Sequence, residues 1–356
     1  MFEKIGFKDF KHKKIVLFGI GGAGHCTMNN LIKHDLAENL VAIIDNDKGK
    51  HGSIFMDVCK VSPPNNLKTI YDHETVIIIA TMFYHSVIKQ IRMLLPEVEY
   101  NSIYVDFHNE NPYPDVDCAD YNETTFEDIQ NILEDSYSRF LFDSIMFLRK
   151  NMGLLRADDA EKIEPWKGYW GDFQLDWGQD ITVIDCGAYI GDNIIPISNT
   201  LGNAVKRYYA LEPNDESFQK LVEYAKHVNM ELFPIHKGAW SETTTLFFSK
   251  QKERNLEVYS AFSDPSDEAD SVEVMALDEL NLEACEDIYI KMDIEGSEIS
   301  ALHGAEQLIK TKRPKLAICA YHRSRDLINI PMLILSMNPE YQIYLRGGMH
   351  YVLYAL

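Results

Sequence analysis

The chain of 356 residues has no long hydrophobic run. Its apolar stretches, such as residues 76–80, are far shorter than the roughly 20 apolar residues that a membrane-spanning helix requires. Residues 1–6 also lack the apolar core of a secretory signal peptide. We therefore expect a cytoplasmic protein without a membrane span.

Basic residues and paired cysteines are scarce as well. Lys and Arg together number 34 against 55 Asp and Glu, which gives a formal net charge of −21. Because that charge repels phosphate backbones and anionic lipids at long range, nucleic acid and membrane surfaces are not expected partners. The six cysteines include no C-x-x-C pair, so we expect buried, unpaired thiols in a reducing compartment.

Strand and helix patterns alternate along the N-terminal part, which predicts an α/β fold with parallel strands. An apolar strand leads into Gly19, Gly21 and Gly24 in G-x-G-x-x-G spacing, and Asp45 ends the next strand about twenty residues later. We predict a Rossmann-like, nucleotide-binding domain over residues 1–115. Its ligand would be NAD or a nucleotide-sugar, although a scaffold that has lost its ligand fits the same pattern.

A linker and a helical segment follow, over residues 116–165. Pro, Asp and Asn are frequent in residues 109–121, which is typical of a linker. Residues 125–150 carry apolar side chains at helical spacing, and residues 140–148 are apolar on nearly all sides. Because such a helix is buried in stable proteins, we expect it either to pack between the domains or to form a homodimer interface.

The most informative segment lies in the C-terminal part, residues 166–356. A buried strand that ends near Asp185 is followed by Gly187 and Gly191, and a second strand ends on Glu212 about twenty residues later. This spacing suits a nucleotide-like ligand, because glycines allow close approach of the backbone and the acid accepts the two ribose hydroxyls. The pattern D-x-G-x-x-x-G differs from the pyrophosphate-binding spacing, and so it favours S-adenosylmethionine over a dinucleotide.

The predicted cofactor site extends over several strand ends. The residues 238–240, after the third strand, are placed to form an apolar slot for adenine. The predicted cofactor contacts are Asp185, Gly187, Ala188, Gly191, Asn193, Glu212, Pro213, Gly238, Ala239, Trp240 and Asp293.

Candidate catalytic residues follow the fourth and fifth strands. Asp293 and Glu295 alternate with apolar neighbours and would point the same way, and His322 would lie near Asp293 if the two strands are neighbours. His322 would then be a general base oriented by a carboxylate, or Asp293, Glu295 and His322 would bind a divalent metal that lowers the pKa of the acceptor. A structural alternative is that Glu295 and Glu298 cap the following helix.

Together these segments resemble the FkbM family of S-adenosylmethionine-dependent methyltransferases. The matching segments are residues 183–192, 211–214, 290–298, 303–305, 313–318 and 344–355. The resemblance implies a class I methyltransferase sheet over residues 166–356, closed by an antiparallel edge hairpin, with an aromatic residue near the cofactor at Tyr169 or Trp170. It also implies O-methylation, often of polyketides or sugars. The N-terminal domain is similar to Rossmann-like modules fused to such enzymes and to polysaccharide-biosynthesis proteins.

The sequence thus predicts methyl transfer from S-adenosylmethionine to a hydroxyl on a sugar, nucleotide-sugar or glycan precursor. The fourth strand is not followed by N/D-P-P-Y, which disfavours amine methylation. Two alternatives stay open. One is an NAD(P)-dependent sugar oxidoreductase that uses the N-terminal glycines, and the other is a non-catalytic cofactor-binding scaffold.

Overall fold

A computed structural model describes residues 2–107, 123–150, 153–165, 167–169, 180–201, 204–228, 230–253, 256–261, 270–282, 287–348 and 350–356. The chain divides into two compact units. The first comprises Met1–Gln130, Ser136–Trp166 and Gly347–His350, and the second comprises Asn131–Asp135, Lys167–Arg346 and Tyr351–Leu356. The predicted linker, residues 109–121, and Trp170 lie outside the described residues.

The first unit is built on a mixed seven-stranded sheet in the order β3-β4-β2-β1-β5-β6-β7. Its strands are β1 (Lys14–Phe18), β2 (Leu40–Ile44), β3 (Ile54–Phe55), β4 (Cys59–Ser62), β5 (Thr75–Ile79), β6 (Ile103–Asp106) and β7 (Leu154–Arg156). The helices of this part of the chain are α1 (Gly22–Lys33), α2 (Leu67–Ile70), α3 (Tyr84–Leu94), α4 (Glu123–Ile132), α5 (Ser136–Lys150) and α6 (Ala157–Ala160). The inner strands pair in parallel, and only the edge pairs β3–β4 and β6–β7 in this sheet are antiparallel. β5 is buried along its whole length, as expected for a central parallel strand with both faces covered.

The helix predicted over residues 125–150 is in fact two helices, α4 and α5. Between them, buried Leu133 forms a bridge with Ile343, and the N–H of Glu134 donates to the carbonyl of Ile343 at 2.9 Å. These tertiary contacts replace the helical hydrogen bonds at residues 133–135, a break that helical periodicity cannot reveal.

The apolar face of α5 packs, at least in part, inside its own unit. The ring of Phe142 lies 5.1 Å from that of Phe126 on α4, and Phe2 lies against Phe140 and Phe147. Burial of this face therefore does not depend on a second copy of the chain. The homodimer interface stays a prediction.

The second unit contains a seven-stranded sheet in the order β10-β9-β8-β15-β16-β18-β17 and a separate four-stranded sheet in the order β11-β14-β12-β13. Its strands are β8 (Ile181–Cys186), β9 (Val205–Leu211), β10 (Glu231–Ile235), β11 (Gly238–Ala239), β12 (Thr244–Glu253), β13 (Leu256–Ala261), β14 (Asp270–Met275), β15 (Asp287–Met292), β16 (Lys315–Cys319), β17 (Ile343–Arg346) and β18 (Val352–Ala355). Its helices are α7 (Ile194–Leu201), α8 (Asp215–Ala225), α9 (Glu298–His303), α10 (Glu306–Lys312) and α11 (Asp326–Met337).

The larger sheet of this unit confirms the predicted α/β class and the edge hairpin. β10, β9, β8, β15 and β16 run in parallel, whereas β18 pairs antiparallel with both β16 and β17. The chain proceeds outward from β8 to β9 and β10, then crosses to β15 on the other side. Ligands in open α/β sheets bind beyond the carboxyl ends of the strands at such a reversal, so the crevice is expected next to β8 and β15.

The cysteines differ in part from the expectation of buried thiols. Cys186 and Cys319 are buried at the ends of β8 and β16, but Cys26 is exposed and Cys59 is half-buried. All of these are free thiols. None of the helices in the described part of the chain combines the length and the apolar character that crossing a membrane requires.

Candidate active site

The turn after β8 makes close backbone contacts that only glycine permits. Gly187 has φ +78°, and a Cβ on it would lie 2.0 Å from the carbonyl oxygen of Asp293. Gly191 has φ +88°, also in the region that favours glycine. The N–H groups of Gly187 and Ala188 both donate to the carbonyl of Leu211, at 3.0 and 2.9 Å. The turn is thereby fixed between the ends of β9 and β15.

Glu212 follows β9 and faces this turn, as the sequence predicted. Its Oε2 accepts from the N–H of Tyr189 at 2.9 Å, and its Oε1 accepts from the N–H of Asn214 at 2.9 Å. Burial raises the pKa of the Glu212 carboxyl, and the two backbone hydrogen bonds act against that rise. Because each carboxylate oxygen offers two lone pairs, each keeps one acceptor site for a further hydroxyl group.

Asp185 lies beneath the turn rather than in the crevice. Its Oδ1 lies 2.9 Å from Nζ of Lys291, and its Oδ2 accepts from the hydroxyl of Tyr208 at 2.6 Å. Lys291 also donates to the carbonyls of Cys186 and Gly187, at 3.2 and 2.8 Å. Burial would lower the pKa of Lys291, but the charge of Asp185 and its hydrogen bond raise it above the ordinary value. These contacts support a role for Asp185 in organising the turn.

The predicted adenine slot lies at the same edge of the sheet. Gly238 comes after β10, the neighbour of β9, and a Cβ on it would lie 3.7 Å from Pro213. Ala239 is buried and Trp240 is half-buried. Asn193 is also half-buried and leads into α7, where its backbone carbonyl accepts a hydrogen bond from the N–H of Ile197.

Asp293 is the centre of a second group of side chains, on the other side of β8. Its Oδ2 accepts a short hydrogen bond from the hydroxyl of Tyr169, and its Oδ1 accepts from the hydroxyl of Tyr321 at 2.9 Å. His322 Nε2 lies 3.2 Å from the same Oδ1, which confirms the contact expected from neighbouring strands. The other ring nitrogen of His322 lies 2.9 Å from Oε1 of buried Glu298.

These contacts set the charges of the group. Burial acts to raise the pKa of Asp293, yet hydrogen bonds from His322 and Tyr169 and the charge of Lys291 hold it well below its ordinary range. Burial acts to lower the pKa of His322, yet its bonds to Asp293 and Glu298 raise it to about 10. His322 is therefore an imidazolium near neutral pH, which argues against the general-base role considered from the sequence.

Glu295 differs from the expected geometry. β15 ends at Met292, and Glu295 has φ +54°, so the strand alternation does not extend to it. Its carboxylate is exposed, with Oε2 at 3.8 Å from Nε2 of His322. The side chain of Glu298 does not cap α9, which was the structural alternative considered from the sequence. Its Oε1 instead accepts from the N–H of Ile294 at 3.0 Å and pairs with His322.

A metal centre at Asp293, Glu295 and His322 is not supported. Within the described ranges, no cluster of His, Cys, Asp or Glu is arranged to hold a metal ion. Both nitrogens of His322 face carboxylates, so a protonated ring has no lone pair for a metal.

The N-terminal glycine loop has a similar local design. A Cβ on Gly19 would lie 2.7 Å from the carbonyl oxygen of Ala80, and one on Gly24 would lie 2.2 Å from the carbonyl oxygen of Gly19. Gly21 precedes α1. Asp45 Oδ2 accepts from the N–H of Ile20 at 3.0 Å, much as Glu212 binds its own loop.

Sequence reasoning missed Lys291, Tyr208 and Tyr321, considered Glu298 only as a helix cap, and gave Tyr169 only a secondary place. A signal existed for Lys291, because a charged residue inside an otherwise apolar strand requires a buried partner. Asp185 and Lys291 are directly paired in the register of β8 and β15. No comparable signal identifies Tyr169, which precedes β8 and reaches Asp293 only through the tertiary fold.

Comparisons with known proteins agree with this geometry. Residues 185–341 match the family model of the methyltransferase FkbM domain, and residues 11–102 match the model described as C2185-like, N-terminal. The match over residues 185–341 lies within the second unit and confirms the predicted resemblance to the FkbM methyltransferase domain. No curated protein sequence matches the chain.

Solved structures extend the comparison to the fold. Methyltransferase FkbM from Methylobacillus flagellatus KT is 21% identical, with a TM-score of 0.64 over 99% of this chain and 94% of that one. Precorrin-6y C5,15-methyltransferase from Geobacter metallireducens GS-15 is 14% identical, with a TM-score of 0.31 over 55% of this chain and 94% of that one. The first similarity shows a shared fold, and the second is too partial to add to it.

Proposed function

We propose that the chain transfers a methyl group from S-adenosylmethionine to a hydroxyl of a sugar, nucleotide-sugar or glycan precursor. One observation carries the proposal. A glycine turn with a ribose-type acid, Glu212, and a fixed carboxylate, Asp293, meet at the same edge of a methyltransferase sheet. The FkbM domain supports methyl transfer, and the carboxylates support a polyhydroxy acceptor.

The residues present fit this cofactor. Glu212 keeps two acceptor sites for the ribose hydroxyls, and Gly187 and Gly191 let the turn pack closely against the end of β15 and against α8. When bound, S-adenosylmethionine supplies an electrophilic methyl group on a sulfonium, which becomes a neutral thioether after transfer. Lys291 holds the turn by its carbonyls, so the cradle is formed before any ligand enters.

Asp293 is the group we assign to the acceptor hydroxyl. Its Oδ1 is occupied by Tyr321 and His322, whereas among the described residues Oδ2 accepts one hydrogen bond, from Tyr169, and keeps a lone pair. The acceptor oxygen would form the new C–O bond as the methyl–sulfur bond of the donor breaks, and its proton would pass to Oδ2. General-base assistance contributes about 10²–10⁴-fold, and the lowered pKa of Asp293 places its contribution near the low end of that range. Tyr169, Tyr321 and His322 hold the carboxylate in place.

The direct test is a product search. The protein is incubated with methyl-labelled S-adenosylmethionine and a fractionated metabolite pool, with and without EDTA, and labelled products are identified by mass spectrometry. We expect a methylated, hydroxyl-bearing product that Asp293→Asn abolishes and EDTA does not affect. Asp287→Asn, at the opposite end of β15, is the matched control. No labelled product in any fraction, or full activity of Asp293→Asn, would contradict the proposal.

A further inference from the structure

Two arginines at the edge of the candidate active site stand out by their charge environment. Arg323 and Arg325 follow His322 in the loop between β16 and α11, and both are exposed. Neither forms an ion pair within the described ranges of a chain whose net charge is −21. In contrast, Arg92, Arg313 and Arg346 each pair with a carboxylate.

Arg323 is placed by its surroundings. Its Nε and Cγ lie 2.8 and 3.3 Å from where a Cβ on Gly296 would stand, so the side chain lies along the turn after Asp293. Gly296, at φ +91°, is the residue that leaves room for it. The N–H of Arg323 donates to Oδ2 of buried Asp326 at 2.7 Å, which fixes the loop. The guanidinium is therefore held next to the acceptor side of the crevice.

The carboxylates near these guanidiniums have other partners as well: the charge of Arg323 acts on buried Asp326, but Oδ2 of that carboxylate accepts from the backbone N–H of Arg323. Glu295 is the nearby exposed carboxylate, but its Oε2 lies 3.8 Å from the imidazolium of His322. Asp293 and Glu298 also face His322. The carboxylates in contact with this imidazolium are thus directed to it, whereas Arg323 and Arg325 are exposed to solvent and form no ion pair in the described part of the chain. A guanidinium presents a planar fork of N–H donors that matches phosphate and carboxylate oxygens.

From this arrangement we infer that Arg323, assisted by Arg325, binds an anionic group of the phosphate or carboxylate type on the methyl acceptor. The inference rests on the proposed function and narrows its substrate class. An acidic protein repels anions at long range, so a cationic rim at the crevice selects for acceptors that carry an anion close to the methylated hydroxyl. Neutral sugars lack this contact and would be poorer substrates.

The test uses two probes on the full-length protein saturated with S-adenosylhomocysteine. Inorganic pyrophosphate and glucuronate are each titrated by calorimetry at low ionic strength, and their relative affinities distinguish a phosphate from a carboxylate ligand. We expect binding of at least one probe by the wild type, roughly tenfold weaker binding by Arg323→Gln, and partial retention by Arg323→Lys. Arg313→Gln is the matched control, because this exposed arginine precedes the opposite end of β16.

Each outcome decides one question. If the wild type binds neither probe, or if Arg313→Gln weakens binding as much as Arg323→Gln, the anion site is wrong. S-adenosylmethionine affinity is measured separately on the same proteins without S-adenosylhomocysteine and should be equal in all of them. If the cofactor fails to bind while pyrophosphate binds through Arg323, the proposed function fails and the anion site stands. If Arg323→Gln loses both probe binding and S-adenosylmethionine binding and its circular dichroism spectrum changes, the local role of Arg323 in anion binding is wrong, unless Arg323→Lys restores both kinds of binding.

Discussion

The ion pair between Lys291 and Asp185 makes the most quantitative prediction. Both side chains are almost fully buried, at 1% and 0% exposure, so solvent screens the pair little. Lys291→Met removes the ammonium and leaves the carboxylate of Asp185 with Tyr208 as its remaining described partner. Removing one partner of a buried pair destabilises a protein by about 3–5 kcal/mol. The carbonyls of Cys186 and Gly187 lose a donor as well, so cofactor affinity should also fall.

Urea unfolding followed by tryptophan fluorescence measures this loss. All four tryptophans lie between residues 166 and 240, so the signal reports on the C-terminal part. Lys315→Met is the matched control, because its pair with Asp287 is partly exposed at 3.7 Å and should contribute less than about 1 kcal/mol. The double variant Lys291→Met/Asp185→Asn should be less destabilised than the sum of its single variants. Equal losses for Lys291→Met and Lys315→Met would refute the reasoning.

Three further variants test other parts of the site. Gly187→Ala should destabilise the protein by roughly 2–4 kcal/mol and abolish cofactor binding, because its Cβ would meet the Asp293 carbonyl at 2.0 Å. Gly6→Ala, with open space around the new Cβ, should change neither stability nor cofactor binding. Thermal unfolding measures the stability of both variants, and calorimetry measures their cofactor binding. Asp293→Asn should lower the methyl-transfer rate about 10²-fold, near the low end for general-base catalysis because the pKa of Asp293 is held well below its ordinary range, with little change in S-adenosylmethionine affinity. A rate within threefold of wild type, roughly 0.7 kcal/mol, would count against a proton-accepting role. The pKa of His322 is raised to about 10 from 6.5, so its stabilising contribution is complete below about pH 6.5 and is lost as the pH rises through about 10. The difference in melting temperature between wild type and His322→Gln should therefore shrink as the pH rises from 6.5 to 10. If the two plots of melting temperature against pH stay parallel over that range, this reasoning is contradicted.

Local sequence signals account for much of the fold. β8, β9, β15 and β16 are strongly apolar, and their ends carry the glycines and acids that mark the crevice. The spacing from Gly191 to Glu212 predicted which strand ends would meet, because parallel strands place their carboxyl ends at one edge. The contact between Asp293 and His322 followed from the same rule and is present at 3.2 Å.

Features that depend on tertiary contacts were not predictable. The break at Leu133 arises from pairing with Ile343, far along the chain. The protonation state of His322 depends on Glu298, whose side chain turns back from α9 rather than capping it. Sequence position alone suggested a neutral base, whereas two facing carboxylates make the ring a cation. Short elements such as β3 and β7 also carry too few residues for a periodic signal.

The most direct test of the central claim is S-adenosylmethionine binding measured by calorimetry on wild type, Glu212→Ala and Glu216→Ala. Glu216 lies near Glu212, at the start of α8, but its side chain is 80% exposed and pairs with Lys220. The account predicts stoichiometric binding by wild type and Glu216→Ala. Glu212→Ala should bind roughly 10- to 100-fold more weakly, since a charge-assisted hydrogen bond contributes about 1.5–3 kcal/mol. Absence of binding by the wild type, or equal affinity in Glu212→Ala, would contradict it.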